Sequence, residues 1–231
     1  MKKSNLFALV LGPAILVGVM FFSSPALAHL PRLVYKDLNS STIPLEIKTS
    51  EISQAFYGQF KNYGPEYYRV NLPGEQELYL SLLVPQNNSA ATGTSLSVIK
   101  LNSPDSKFAM TLDGKKFVWT KFYEDYAGDN YWQGPSQGKK LPAGDYLITI
   151  TSKDNSGKYV LVTGKIESFP IGEMLKTLWA LPFLKVAFFE TSFFSIFAGI
   201  IGKYLLWGVI TFLALVVFIV WLIIKRKKSK V

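Results

Sequence analysis

The sequence predicts a mainly-β protein: a single antiparallel β-sandwich, then juxtamembrane amphipathic helices, then one C-terminal transmembrane helix. Three observations carry that prediction. Between His29 and Ser168, short runs of alternating or continuous apolar residues recur at regular spacing, divided by turn residues. From Ile171 the apolar spacing changes to three and four residues, the period of a helix. From Tyr204 to Ile224 the text YLLWGVITFLALVVFIVWLII carries no charge at all. About 20 such residues suffice to cross a hydrocarbon core about 30 Å thick.

The first segment, residues 1–28, has Lys2 and Lys3, an apolar stretch from Leu6 to Phe22, and Ser23-Ser24-Pro25 leading into Ala26-Leu27-Ala28. That is the three-part form of a secretory signal peptide cleaved before His29. The alternative is an uncleaved signal anchor, against which Gly12-Pro13 and the small residues at the end both argue.

Residues 29–168 form the expected extracytoplasmic domain. Leu33-Val34-Tyr35 and Leu45 to Lys48 read as short strands around a polar Asn39–Thr42 turn. The second half of EISQAFYGQF and the stretch Glu66–Leu72 follow, the latter closed by a Pro73-Gly74 turn. Leu78–Val84 becomes continuously apolar, as a strand buried on both faces does. Ser95–Leu101 and Lys116–Thr120 are further candidates, and Asp145–Ser152 and Lys158–Ile166 are strong ones, with Asp154–Gly157 read as a hairpin connection between them.

Residues 169–203 are read as amphipathic helix. Ile171, Met174, Leu175 and Leu178 share a side opposite Glu173, Lys176 and Thr177, and Pro182 is expected to kink or restart the helix. Residues 171–202 are expected either to lie on the membrane or to dock on a membrane-protein partner. Residues 204–224 are the span and 225–231 a basic cytoplasmic tail, placing the N-terminal domain outside the cytoplasm of the cell membrane. The net charge of +9 reflects this layout, not nucleic-acid binding. Seven of the 25 Lys and Arg lie in the two ends, and the remaining 18 face 16 Asp and Glu. There is no cysteine, which excludes disulfides, thiolate metal sites and a cysteine nucleophile.

Several stretches resemble the bacterial pre-peptidase C-terminal domain, a jelly-roll β-sandwich attached to many secreted proteins. They are ISQAFYGQF, YYRVNLPG, ELYLSLLVP and, above all, LPAGDYLITITSKDNSGKYVLVTG, together spanning about residues 50–166. Residues 102–140 depart from the family pattern. The resemblance implies a jelly-roll-like fold and an accessory or binding role, and carries over no catalytic residue.

Two candidate sites stand out. Cleavage before His29, the single histidine, would leave its α-amine and ring nitrogens at a mature N-terminus, a donor set that suits copper. Copper sites of that kind use further histidines, which this chain lacks, so an accident of the cleavage position is the favoured reading. The second is FVWTKFYEDYAGDNYWQG, residues 117–134. There Trp119, Phe122, Tyr123, Tyr126, Tyr131 and Trp132 crowd around Glu124, Asp125, Asp129 and Asn130. Rings flanked by carboxylates and amides suit a carbohydrate or peptide ligand, and Asp125, Asp129 and Asn130 offer oxygen donors to calcium. The competing reading is a strand-crossing loop whose rings plug one end of the sandwich. Serine catalysis lacks a well-placed base, and no phosphate-binding loop or dinucleotide fingerprint is present. The expected role is therefore non-enzymatic binding, with an accessory subunit of a transporter or secretion complex, or copper handling through His29, as alternatives.

Overall fold

The computed structural model describes residues 29–35, 40–103, 108–168 and 170–228. The expected signal peptide, residues 1–28, and the last three tail residues lie outside them. The described chain falls into two compact units, one formed by Leu27–Glu124 with Asp129–Phe193, the other by Asp125–Gly128 with Phe194–Val231.

Among the described residues the first unit is a β-sandwich of eleven strands: β1 (Leu30–Leu33), β2 (Leu45–Ile47), β3 (Gln54–Gln59), β4 (Glu66–Leu72), β5 (Gln76–Pro85), β6 (Ser95–Lys100), β7 (Phe108–Leu112), β8 (Thr120–Glu124), β9 (Asp129–Leu141), β10 (Gly144–Thr151) and β11 (Lys158–Thr163). Six form one sheet in the order β1-β3-β11-β5-β9-β8, and five form the other in the order β2-β4-β10-β6-β7. Among the described strands the pairings are antiparallel except β1 with β3 and β2 with β4, which are parallel, as are the isolated bridges Ile52–Ile166 and Ala90–Lys158. Both parallel strand pairs sit at sheet edges, where Pro31 costs no ladder bond on its free side.

Strand period two explains the core. Leu78, Leu80, Leu82 and Val84 of β5 and Tyr159 and Leu161 of β11 face Tyr68, Val70, Val98, Ile148 and Ile150 of the second sheet. The hydroxyls of Tyr68 and Tyr159 meet across the sheets at 2.8 Å, so two buried polar atoms satisfy each other. Burial raises both phenol pKa values. Gly58 makes room for this pair, because a Cβ there would lie 2.4 Å from the Tyr159 ring.

Four readings of the sequence are corrected. The first strand is Leu30–Leu33 instead of 33–35. Lys116–Trp119 is not a strand; the strand starts at Thr120, because the Trp119 indole turns back to donate to the Gly114 carbonyl at 2.8 Å. Asp154–Gly157 is not a hairpin connection but a crossing between sheets, since β10 pairs with β4 and β6 while β11 pairs with β3 and β5. Ser152 N–H bonds the Asn155 carboxamide, and Asn155 and Gly157 take positive φ, which turns the chain away from β10. Finally, residues 102–141 contain β7, β8 and β9, the last being the longest of the described strands. β9 accommodates Pro135 because β8 pairs only with Asp129–Gln133, leaving that side of Pro135 without a ladder partner. The register against β5 also shifts there, between Ser81 and Leu83.

Helix α1 (Ile171–Phe183) runs through Pro182 and widens into a π-helical turn at Leu184–Phe188. Proline removes a helical N–H, and the wider turn follows directly.

The second unit contains α2 (Ile200–Lys228), whose Ile200–Arg226 portion has a mean hydropathy of 2.8 and is long and apolar enough to cross a membrane. At its start the Ile200 and Ile201 N–H groups donate to the carbonyls of Asp125 and Tyr126, at 3.0 and 3.1 Å. Gly128 and Gly199 allow this approach; a Cβ on Gly128 would lie 2.4 Å from the Gly199 nitrogen.

Candidate functional site

The residues singled out between 117 and 134 do not form one patch. Most of them lie on a hairpin of β8 and β9, where paired residues project to the same face. Glu124 and Phe122 therefore share a face with Asp129 and Tyr131, whereas Tyr123 and Lys121 share the opposite face with Asn130 and Trp132. Trp119 and Trp132 are half-buried against the sandwich core. Trp119 enters a slot that Gly134 leaves open, as a Cβ there would lie 2.5 Å from the indole. Asp125 and Tyr126 belong to the second unit, with their carbonyls bonded to the start of α2. The large apolar side chains left exposed are Phe117, Val118, Phe122 and Tyr123, on or just before the edge strand β8, and of the polar candidates Asp125 and Asn130 are exposed as well.

Asp129 and Tyr131 have a structural use on the outer face of the six-stranded sheet. The π-helical turn lays Leu184, Phe188 and Phe189 over Ala55, Leu83, Val160 and Val162, closing a second apolar cluster. Tyr57 and Tyr131 meet beneath it through their hydroxyls at 2.9 Å and pack edge-on against Phe188 and Phe189. Lys185 descends through this cluster to Asp129 Oδ1 at 2.5 Å, with side-chain exposures of 1% and 3%. Among the described residues none donates a hydrogen bond to Asp129 Oδ2. Burial pushes the Asp129 carboxyl above the ordinary range, and Lys185 pulls it back in part.

A second set of bonds pins the end of this strap. Lys158 Nζ donates to the Ala187 and Phe188 carbonyls and to Glu190 Oε1, the last at 2.7 Å. Asn87 donates to the Phe188 carbonyl and Ser89 to Glu190. Hydrogen bonds from Lys158 and Ser89 hold the Glu190 carboxyl below its usual range. The lysines are the residues that sequence reasoning missed. Their signal was present, since a charged residue inside FLKVAFF or leading KYVLVT needs a buried partner.

At its other end α1 is tied by Glu173, which pairs with Arg32 and, at 2.7 Å, with Lys176. Arg32 is itself oriented by Gln54 at 2.9 Å. Glu173, Thr177, Ala180 and Leu181 are the less exposed positions, while Ile171, Leu175 and Trp179 point outward, with Trp179 86% exposed. The helix thus presents its apolar side away from the sandwich.

His29 is partly buried, and its Nδ1 lies 2.5 Å from Ser53 Oγ. Burial lowers its pKa. Among the described residues no three His, Asp or Glu side chains gather as a metal-holding group.

No protein-family model and no curated protein matches this sequence. Among solved structures, the pre-peptidase C-terminal domain of a collagenase from Bacillus anthracis is similar, with a TM-score of 0.32 at 8% identity, over 59% of this chain and 95% of that one. PliG of Aeromonas hydrophila, a periplasmic inhibitor of g-type lysozyme, overlaps with a TM-score of 0.33 at 14% identity, over 58% of this chain and 97% of that one. CorA of Methylomicrobium album BG8, a surface-associated copper-binding protein, overlaps with a TM-score of 0.27 at 7% identity, over 52% of this chain and all of that one. These overlaps are partial, and the fold described above rests on its own strand order.

Proposed function

We propose that this protein is a single-pass, membrane-anchored, extracytoplasmic β-sandwich that works as a non-enzymatic binding module. Helix α2 anchors it, the sandwich stands outside the cytoplasm, and the basic tail stays inside. The observation that carries the binding role is the edge of the six-stranded sheet. There Phe122 and Tyr123 stand exposed on β8, which pairs with β9 alone among the described strands, next to exposed Phe117 and Val118. An edge strand offers main-chain bonds to an extended peptide, and exposed rings offer stacking to a sugar face.

The test is a screen of peptides and oligosaccharides against the full-length protein in detergent, repeated with Phe122→Ala and Tyr123→Ala. Binding that both variants lose, with unfolding unchanged, supports the reading. Binding that neither variant affects sinks the edge-strand assignment.

A second reading, an accessory subunit of a membrane complex, is favoured by the outward apolar side of α1. It predicts co-purifying membrane proteins that are lost when Leu175 and Trp179 are replaced by serine. Recovery as a lone species in mild detergent counts against it.

A further inference from the structure

We propose that the outward side of α1 lies in the headgroup–acyl boundary of the bilayer that α2 crosses. The proposal rests on the anchored reading above and adds a second, lipid-facing contact to it.

Four observations lead there. First, the helix is inverted relative to one that covers a soluble core. At about 3.6 residues per turn, Met174, Leu178, Ile171, Pro182, Leu175 and Trp179 follow one another around a single side. Ile171, Leu175 and Trp179 are 78%, 55% and 86% exposed, whereas Glu173 turns to Arg32. A helix made to face water carries charge on that side. Here the one flanking charge, Lys176, is turned back to Glu173.

Second, the helix cannot roll its apolar side inward without breaking its ties. Glu173–Arg32 fixes its first turn, and Lys185–Asp129 and Lys158–Glu190 fix the strap that follows it. The exposed side is held outward.

Third, the chain keeps the bilayer within reach. Residues 191–199 connect Glu190, which is clamped by Lys158, to the first residue of α2. Nine residues span at most about 32 Å when fully extended. A tether of that length keeps a lipid surface permanently available, so even a weak contact is populated. Phe193 and Phe194 on this segment are exposed as well.

Fourth, the chemistry is that of a membrane interface. Branched aliphatic side chains beside a tryptophan, with a lysine at the flank, match interfacial helices, which bury an apolar side while a polar side remains wet.

The chain contains no cysteine, so single cysteines report cleanly. The full-length protein is reconstituted into vesicles of phosphatidylcholine and phosphatidylglycerol as L175C, W179C, E46C or L213C, each carrying an environment-sensitive fluorophore. E46C is the solvent reference on β2 and L213C the reference within α2. L175C leaves Trp179 in place, so the two outward sites check each other. The expected result is a blue shift at both positions, loss of quenching by aqueous iodide, and quenching by nitroxide on the upper acyl chain. Labels at 175 and 179 that behave like E46C overturn the proposal. Labels shielded from iodide yet untouched by the lipid nitroxide also overturn it, because a protein then covers the helix. A label at 213 that escapes lipid quenching refutes the anchored reading itself, and the inference falls with it.

Discussion

Replacing Lys185 by methionine keeps most of the side-chain volume and removes the charge that compensates Asp129. In the folded protein Lys185 and Asp129 are 1% and 3% exposed, and Asp129 Oδ2 already lacks a hydrogen-bond donor among the described residues. The variant therefore strands a carboxylate whose remaining oxygen loses its bond as well. Breaking a buried pair from one side costs about 3–5 kcal/mol. With a urea dependence of about 2 kcal/mol per molar for a domain of this size, the midpoint falls by about 1.5–2.5 M. The assay is urea unfolding of the full-length protein in mild detergent, followed by tryptophan fluorescence. A second variant decides the cause. Lys185→Met combined with Asp129→Leu removes both charges and restores the midpoint to within about 1 kcal/mol of the parent, since apolar replacement of a buried pair is neutral or stabilising. An unchanged midpoint for Lys185→Met, or a double variant as weak as the single one, refutes the argument that this pair fastens the strap.

Two other expectations concern the hairpin and the strap. Trp119→Ala empties the slot beside Gly134 and costs about 3 kcal/mol, whereas Tyr123→Ala stays within about 0.5 kcal/mol because its ring is exposed; urea midpoints of the two variants check the contrast, and equal losses contradict it. The folded-state pKa of Glu190 lies below its unfolded value, so its contribution is complete above the ordinary glutamate value of 4.5 and disappears as pH falls through the folded pKa. Asp129 runs the other way, its raised pKa making its contribution more favourable in acid. The midpoint difference between the parent and Glu190→Gln should accordingly shrink on acidification, and a difference independent of pH contradicts the Lys158–Glu190 clamp.

Much of the sandwich was legible because strand alternation survives in the sequence wherever one face is buried. Glu66–Leu72 was read with the bounds it has, and Leu78–Val84 was read as doubly buried, which the strap over Leu83 explains. The strands between 102 and 140 were not legible, for three reasons. β8 is an edge strand exposed on both faces, so it shows no alternation. β9 carries Gly134, Pro135 and Gly138, which ordinarily mark turns. The β5 register shift also breaks its period. The hairpin reading of Asp154–Gly157 failed because turn chemistry is local, whereas the choice of sheet is made by the distant partners of β10 and β11. At the site, crowding in the sequence suggested one aromatic patch. A period of two residues instead sends neighbours to opposite faces, sending Tyr131 outward to Tyr57 and Trp132 inward to the core. The pairing of Asp129 with Lys185, far apart in the chain, left only the weak trace of an isolated lysine in an apolar run.

In the proposed topology α2 holds the sandwich outside the membrane with the basic tail inside. Labelling of right-side-out vesicles with a membrane-impermeant maleimide tests it directly, using single cysteines at Glu46 on β2 and at Ser229 in the tail of an otherwise cysteine-free chain. The expected result is labelling of Glu46→Cys in intact vesicles and of Ser229→Cys only after detergent lysis. Labelling of Ser229→Cys in intact vesicles, with Glu46→Cys protected, contradicts it.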